Sequence, residues 1–360
     1  MAVNPNGIKL TAALEPMTFS SAFLGLTFQA DTLKTKRKFI LLYRVAIFSA
    51  IVLILINEIP TITYWTTNTD TIHGMLVFLE TRLRWFVVLA SFILNGVNNR
   101  RINGVLTILT DVPLTLRHSE YKRILRFQVF IFSTSLFLLV GYMCLGNDVL
   151  WPNPYYAWYT STIYIVTEIY TVFADFQFVI LIFTIRTFFK LMNDNLKSCN
   201  FKSTVSKAKR ISLLFVSDHR KKDNVGEIVR FRQIHMTLVD CCIKTNECFS
   251  LQILLYLLLS IVELTYGLRS YIIFINDTNV NSSTTWRTKY QTSLILFWSA
   301  YYLSTILNIA IACEGVVIET EKTATIINEV INEINDKELE KQVIGTVGTY
   351  LIIITTFKVN

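Results

Sequence analysis

Residues 341–360 read "KQVIGTVGTYLIIITTFKVN". Between Gln342 and Lys358 there is no charge, and almost every side chain is Val, Ile, Leu, Gly, Thr or aromatic. A soluble domain rarely carries such a stretch, which reads as a membrane segment. A helix over Val343–Phe357 nevertheless rises only about 22 Å at ~1.5 Å per residue, against ~30 Å of bilayer hydrocarbon. The rest of the chain has to explain how so short a segment could serve.

Across all 360 residues, 52% are hydrophobic and 17% charged, with mean hydropathy +0.45. Ordinary globular chains carry about 25% charged residues, so the deficit points to a polytopic membrane protein. The 25 Phe and 16 Tyr suit helices packed in lipid with interfacial aromatic belts. Gly and Pro are few and the apolar runs are continuous rather than alternating, which argues for helices over a β-barrel. Six runs reach spanning length: Phe39–Ile59, Ile72–Val97, Leu125–Leu145, Trp158–Phe189, Phe249–Ile275 and Gln291–Cys313. With residues 343–357 the expected fold is all-α, with seven transmembrane helices.

Basic residues set the orientation. Lys34, Lys36, Arg37 and Lys38 precede the first run, and Arg100, Arg101, Arg117, Lys122 and Arg123 lie between the second and third. The stretch 190–248 holds "KAKR" at 207–210 and "HRKK" at 219–222, whereas 60–71 and 146–157 hold no Lys or Arg. This alternation places the N-terminus in the cytoplasm and the C-terminus outside. Two glycosylation sequons, at Asn276 and Asn281, fall in the loop 276–290 that the charges call external. A G-protein-coupled receptor has the opposite orientation. The net charge of +8 is spread over loops, so nucleic acid is not an expected partner. Residues 1–38 show no basic region leading into a short apolar core and cleavage site, so the first run would be the targeting signal. Of the cysteines, only Cys144 faces outward in this topology, so no intramolecular disulfide is expected there. Cys241, Cys242 and Cys248 read as reduced thiols at a helix start.

Several stretches resemble the insect gustatory receptors. "GTYLIIITTF" is similar to their C-terminal signature: Thr349, Tyr350 and Phe357 match, Thr356 stands where Gln is usual, and Thr355 is polar where the signature is apolar. "LEPMTFSSAFLGL" at 14–26, "IRTFFKLMNDNLKS" at 185–198 and "RFRQIHMTLVDCCIKTNECFSLQILL" at 230–255 resemble the family's N-terminal segment, the cytoplasmic end of its fourth span and its entry to the fifth. Between the sixth span and the signature the chain is shorter than such receptors. The resemblance implies a ligand-gated, nonselective cation channel, a homo- or hetero-tetramer with other gustatory receptors in the plasma membrane of a sensory neuron. It implies a last helix broken in two, whose membrane half lines a central pore, and cytoplasmic helix extensions that join subunits. The expected organisation is a cytoplasmic segment at 1–38, a bundle at 39–313 with a helical anchor region at 190–248, an acidic segment at 314–342, and the pore-type helix at 343–360.

The candidate pore residues are Thr346, Thr349, Tyr350, Ile353, Thr356 and Phe357, which recur along one helical face. The same face, with Gly345 and Gly348, would also suit close helix packing. Charges inside apolar spans are costly and tend to pair or to face water. Arg44, Arg82 and Arg84 read as snorkelling or paired. Glu168 and Asp175, seven apart, share a face of the fourth span, and Glu263 and Arg269 lie in the fifth. Glu168 is the best candidate for a pocket group, with a structural ion pair as its competing role. Candidate ligand-binding residues are Tyr142, Tyr159, Tyr164, Glu168, Tyr266 and Trp298, because aromatic faces and hydroxyls recognise small organic tastants. The same residue types also build interfacial belts. In 225–249, Ile228, Phe231, Ile234, Leu238, Cys242 and Phe249 form an apolar stripe open to packing within the subunit or between subunits.

No enzyme motif, metal spacing or nucleotide loop is present, and no cofactor is expected. Leu351 stands where sugar-sensing members of the family tend to carry Glu, so the resemblance favours bitter or other plant-derived compounds as ligands, with membrane lipid around the bundle. A sugar-responsive receptor, a truncated accessory subunit and a membrane transporter are the alternatives.

Overall fold

The structure is a computed structural model that describes residues 10, 12–18, 42–49, 51–53, 56, 71–114, 116, 118–150, 154–198, 217–278 and 285–333. Every secondary-structure element among them is a helix: α1 (residues 12–18), α2 (Leu42–Leu53), α3 (Thr71–Asp111), α4 (His118–Leu150), α5 (Pro154–Ser198), α6 (Ser217–Thr278) and α7 (Thr285–Glu333). The expected spans map onto α2 to α7, and α1 is an additional element. The pore-type stretch 343–357 lies outside the described residues, as does Asn281.

The helices overrun the apolar runs that nucleate them. α6 has 62 residues and α7 has 49, or about 93 and 74 Å at ~1.5 Å per residue, two to three times the hydrocarbon thickness. The basic region at 98–124, read as a loop, is largely helix. α3 continues to Asp111 and stops before Pro113: Val112 N–H donates to Ile108 O at 3.1 Å to close its last turn, and a tight turn (Leu114 N–H to Val112 O at 2.8 Å) follows. The acidic stretch after Cys313 is likewise not a separate unit over its described part, since α7 runs unbroken to Glu333.

α5 is the axis. In its most apolar stretch 83% of residues are buried, against 39% in α6 and 28% in α7. α5 packs on α4, α6 and α7, and α3 lies along α6. The peripheral helices turn apolar rows outward: Leu251, Leu254, Leu258, Ile261, Leu268 and Ile272 on α6, and Leu296, Leu303, Leu307 and Ile311 on α7, are exposed at helical spacing. Apolar residues on the outside and polar ones within suit a helix bundle solvated by lipid. α5, α6 and α7 are each long and apolar enough to cross a membrane. The membrane stretch of α3 carries Glu80, Arg82 and Arg84, which lowers its hydropathy although Glu80 and Arg84 point inward. Hydroxyls in the bundle are satisfied by their own helices. Thr184, Thr187, Thr245 and Ser260 each donate to the carbonyl four residues back at 2.7–2.9 Å.

At one end of the bundle α1 is built into the core. Leu10, Ala13, Leu14 and Met17 are 0–3% exposed and pack among Ile102, Val105 and Leu109 of α3 and Ile124 of α4. The Gln128 amide donates to Ala13 O at 2.8 Å, closing the seam. At the same end the stripe foreseen on α6 packs within its own subunit: Ile234, Leu238, Cys242 and Phe249 are buried and Phe231 half-buried, while the Ile228 side chain lies outside the described residues. His235 is fully buried beside the Phe189 ring, 5.3 Å between centroids, and burial pushes its imidazole down to about 3, so it stays neutral at physiological pH. Cys241, Cys242 and Cys248 lie in the interior of α6 rather than at its start. Burial, with the Asp240 carboxylate adding to it, pushes the Cys241 thiol up to about 12, which leaves it unreactive. α5 and α7 meet through Asn193, whose amide donates to Glu319 O at 2.8 Å and whose carbonyl accepts from the Thr323 hydroxyl at 2.7 Å. Gly315 permits that approach, because a Cβ there would stand 2.5 Å from the Arg186 guanidinium.

Candidate functional site

Arg84 of α3 is the centre of the buried polar region. It lies 13 residues into its helix, ~20 Å from the start at 1.5 Å per residue. At 2% exposure its guanidinium has no access to solvent and must be neutralised by protein. Nη1 donates to Glu168 Oε1 of α5, and Nη2 donates to Glu263 Oε1 of α6 and, at 3.0 Å, to Glu80 Oε1 one turn back on α3. Side chains four apart on a helix are neighbours, so Glu80 reaches Arg84 without any tertiary adjustment. α7 completes the cluster. The Tyr302 hydroxyl donates to Glu168 Oε1 at 2.8 Å, and Trp298 Nε1–H donates to Glu263 Oε2 at 3.2 Å. Arg84 also stands 5.8 Å from the Trp298 ring centroid, within cation–π range. Four helices are tied at one level by charge-assisted hydrogen bonds.

Aromatic rings wall one side of this cluster. Trp298 stacks on Tyr301 with centroids 5.6 Å apart, and Tyr302 meets both edge-on at 5.3 and 5.1 Å. Two turns along α5 from Glu168, Asp175 is 4% exposed, and among the described residues neither of its oxygens has a hydrogen-bond partner. The buried Tyr256 of α6 and Tyr301 of α7 are within electrostatic reach of it. Further along the bundle the Asn95 amide donates to Gln252 Oε1 at 3.2 Å, and the Asn98 amide to Cys248 O at 2.8 Å. The interior between α3, α5 and α6 therefore carries polar groups along much of its length.

The sequence-based candidates separate here. Glu168 and Trp298 both belong to the cluster, and Tyr266 is half-buried on α6 one turn from Glu263. Tyr142 lies on α4 and Tyr159 and Tyr164 on α5, with side chains outside the described residues. Asn276 is on the last turn of α6 with its side chain also outside them. Thr346, Thr349, Tyr350, Ile353, Thr356 and Phe357 lie outside the described residues altogether. Arg82 is placed 5.1 Å from the Phe78 ring and Arg44 5.4 Å from the Phe92 ring, neither of them in the cluster. Sequence reasoning did not join Arg84 to Glu80, Glu168 and Glu263, nor single out Tyr256, Tyr301 and Tyr302. The available signal was Arg84 and three acidic groups in three predicted spans, which must meet somewhere.

A protein-family model described as 7tm Chemosensory receptor matches residues 14–345. The chain belongs to the 7tm chemosensory receptor family. No curated protein matches it. Among solved structures, the insect olfactory receptor OR5 from Machilis hrabei in complex with eugenol is similar with a TM-score of 0.70 at 11% identity, covering 96% of this chain and 90% of that one. A second structure of OR5 from Machilis hrabei gives a TM-score of 0.68 at 12% identity, with the same coverage. At that identity the likeness is one of fold. In this chemosensory receptor, the all-helical bundle places the Arg84 cluster where α3, α5, α6 and α7 converge.

Proposed function

We propose that the chain is a gustatory receptor subunit, a ligand-gated nonselective cation channel that responds to bitter or other plant-derived compounds. The observation that carries this reading is the interior of the bundle. A chemosensory receptor needs a site that is apolar and aromatic with a few fixed polar groups, and Trp298, Tyr301 and Tyr302 beside Glu168, Glu263 and Arg84 form one. We assign Tyr266, Tyr142, Tyr159 and Tyr164 to ligand binding as well. The OR5 relative was solved with eugenol, a plant phenolic, which supports a ligand of similar chemistry here.

The alternation of basic residues supports a cytoplasmic N-terminus, with α1 and the extended ends of α5, α6 and α7 on the cytoplasmic side. The sequons at Asn276 and Asn281 face outward in the same scheme. Four subunits then contribute residues 343–357 to one pore. Thr346, Thr349, Tyr350, Ile353, Thr356 and Phe357 line it, and a wide aqueous vestibule shortens the distance the helix must cover. Val229, Met236 and Ile243, an exposed apolar row at seven-residue spacing on α6, offer a surface for a neighbouring subunit.

The test is electrophysiological. Cells expressing the receptor are challenged with plant phenolics, alkaloids and monosaccharides. Cation current or calcium influx is expected for members of the first two groups, with the half-maximal concentration raised about tenfold or more by Trp298→Ala. Responses confined to monosaccharides would make it a sugar receptor. Surface protein that never conducts alone but alters the response of a co-expressed receptor would make it an accessory subunit.

A further inference from the structure

Asp175 is a buried carboxylate that the Arg84 cluster leaves out. It lies on the same face of α5 as Glu168 but seven residues further along, ~10 Å by helical rise. The guanidinium is already engaged by Glu80, Glu168 and Glu263. A buried carboxylate without a counter-charge is expensive, and a buried carboxylic acid without a hydrogen-bond acceptor is also rare. Among the described residues neither Asp175 oxygen has a partner of either kind. Tyr256 and Tyr301, both buried, lie within electrostatic range of it, as does the Glu168 carboxylate. Tyr301 in turn stacks on Trp298. Acceptor oxygens backed by aromatic rings are the surroundings that a compact cation selects. An ammonium group carries three donors, enough to bind both Asp175 oxygens and a tyrosine hydroxyl at once.

We infer that Asp175, with Tyr256 and Tyr301, forms a subsite for a monovalent cation, and that the cation is the protonated amine of a ligand whose apolar part lies against Trp298. The subsite rests on the reading of the Trp298–Glu168 region as the ligand site, and gives that site a preference for basic compounds. A free sodium ion shares this chemistry and is the other possible source.

The experiment uses the full chain in lipid nanodiscs and two probes of nearly equal shape, benzylammonium and benzyl alcohol. Affinity is read from the rise in thermal midpoint with probe concentration. Benzylammonium is expected to bind wild type at least tenfold more tightly than benzyl alcohol. In Asp175→Asn, which keeps the side-chain shape, the two are expected to fall within twofold. Equal affinities in wild type, or a preference that survives Asp175→Asn, would overturn the subsite. A parallel titration compares sodium chloride with N-methylglucamine chloride at fixed ionic strength on wild type. A sodium-specific rise that benzylammonium cancels assigns the resting occupant as sodium and supports the subsite without any variant. No response to either cation overturns it even if Asp175→Asn does not fold. Trp298→Ala separates this from the parent reading. Benzyl alcohol binding that is lost in Trp298→Ala but shows no preference for the ammonium leaves the ligand site standing and removes only the cation. Probe binding indifferent to Trp298 removes both.

Discussion

Two buried regions hold this bundle together by opposite means. Around Arg84, four helices are joined by ion pairs and hydrogen bonds among Glu80, Glu168, Glu263, Trp298 and Tyr302. At the α1 end, Leu10, Ala13, Leu14 and Met17 fill a seam lined by Ile102, Val105, Leu109 and Ile124, and a single amide from Gln128 fixes the register. The apolar seam is non-directional, and its energy grows with the area it covers. The charged cluster is directional: each member is tolerable only while the others are present. One region therefore determines whether the end of the bundle is closed, and the other determines how the four helices face each other.

The contrast can be broken most sharply at Arg84. Arg84→Met leaves three carboxylates facing one another in a dry interior and is expected to cost about 3–5 kcal/mol, the scale for removing one partner of a buried ion pair. Thermal midpoint and the monodisperse fraction after detergent extraction would report it. If Glu80, Glu168 and Glu263 are changed to Gln in the same chain, much of the loss should return, a recovery with no counterpart in the apolar seam.

A smaller effect is expected at the other end. Leu14→Ala removes a side chain that is 3% exposed and should cost about 2–4 kcal/mol, as large-to-small core changes do. The loss should be partial and local, read as faster amide exchange in residues 102–114 with the exchange of α7 unchanged. Equal acceleration in α7 would mean the two regions are not separable. Least is expected from Tyr302→Phe. The hydroxyl donates to a Glu168 oxygen that Arg84 also contacts, so the acceptor stays satisfied and the change should cost about 1 kcal/mol. A thermal shift as large as that of Arg84→Met would show that Tyr302, rather than Arg84, holds α7 to the cluster.

The spans of α5 to α7 were legible because their hydrophobic runs are long and nearly free of charge, and helix length against bilayer thickness is a strong constraint. Their ends were not. Residues 98–111, 217–248 and 314–333 are polar enough to read as loops or separate segments, yet each continues a helix, since helical hydrogen bonding does not stop at the membrane boundary unless a residue such as Pro113 stops it. The burial of Leu10, Ala13, Leu14 and Met17 was not legible either, because so short a segment owes its structure to the surfaces it docks on. For the site, the sequence marked Glu168 as a charge that needed a reason and allowed that the reason was an ion pair. Helical periodicity put Glu168 and Asp175 on one face. What it could not supply was the rotation of α6 and α7 that brings Glu263, Tyr302 and Trp298 to the same point, because that depends on packing between segments distant in sequence.

The length of α6 has a mechanical meaning. Glu263 fixes this helix at the level of Arg84, and Leu238 is fully buried in the core about 25 residues away, ~38 Å along the same rod. No proline interrupts α6 between them, so nothing in the backbone absorbs a change of angle. A pivot of about 3° at Glu263 displaces Leu238 by ~2 Å, close to the size of a methyl group, given the 1.5 Å rise that sets the arm. Close-packed interiors do not deform smoothly by that amount. The rigidity of α6 therefore couples its angle at Glu263 to the packing of Leu238 at the far end.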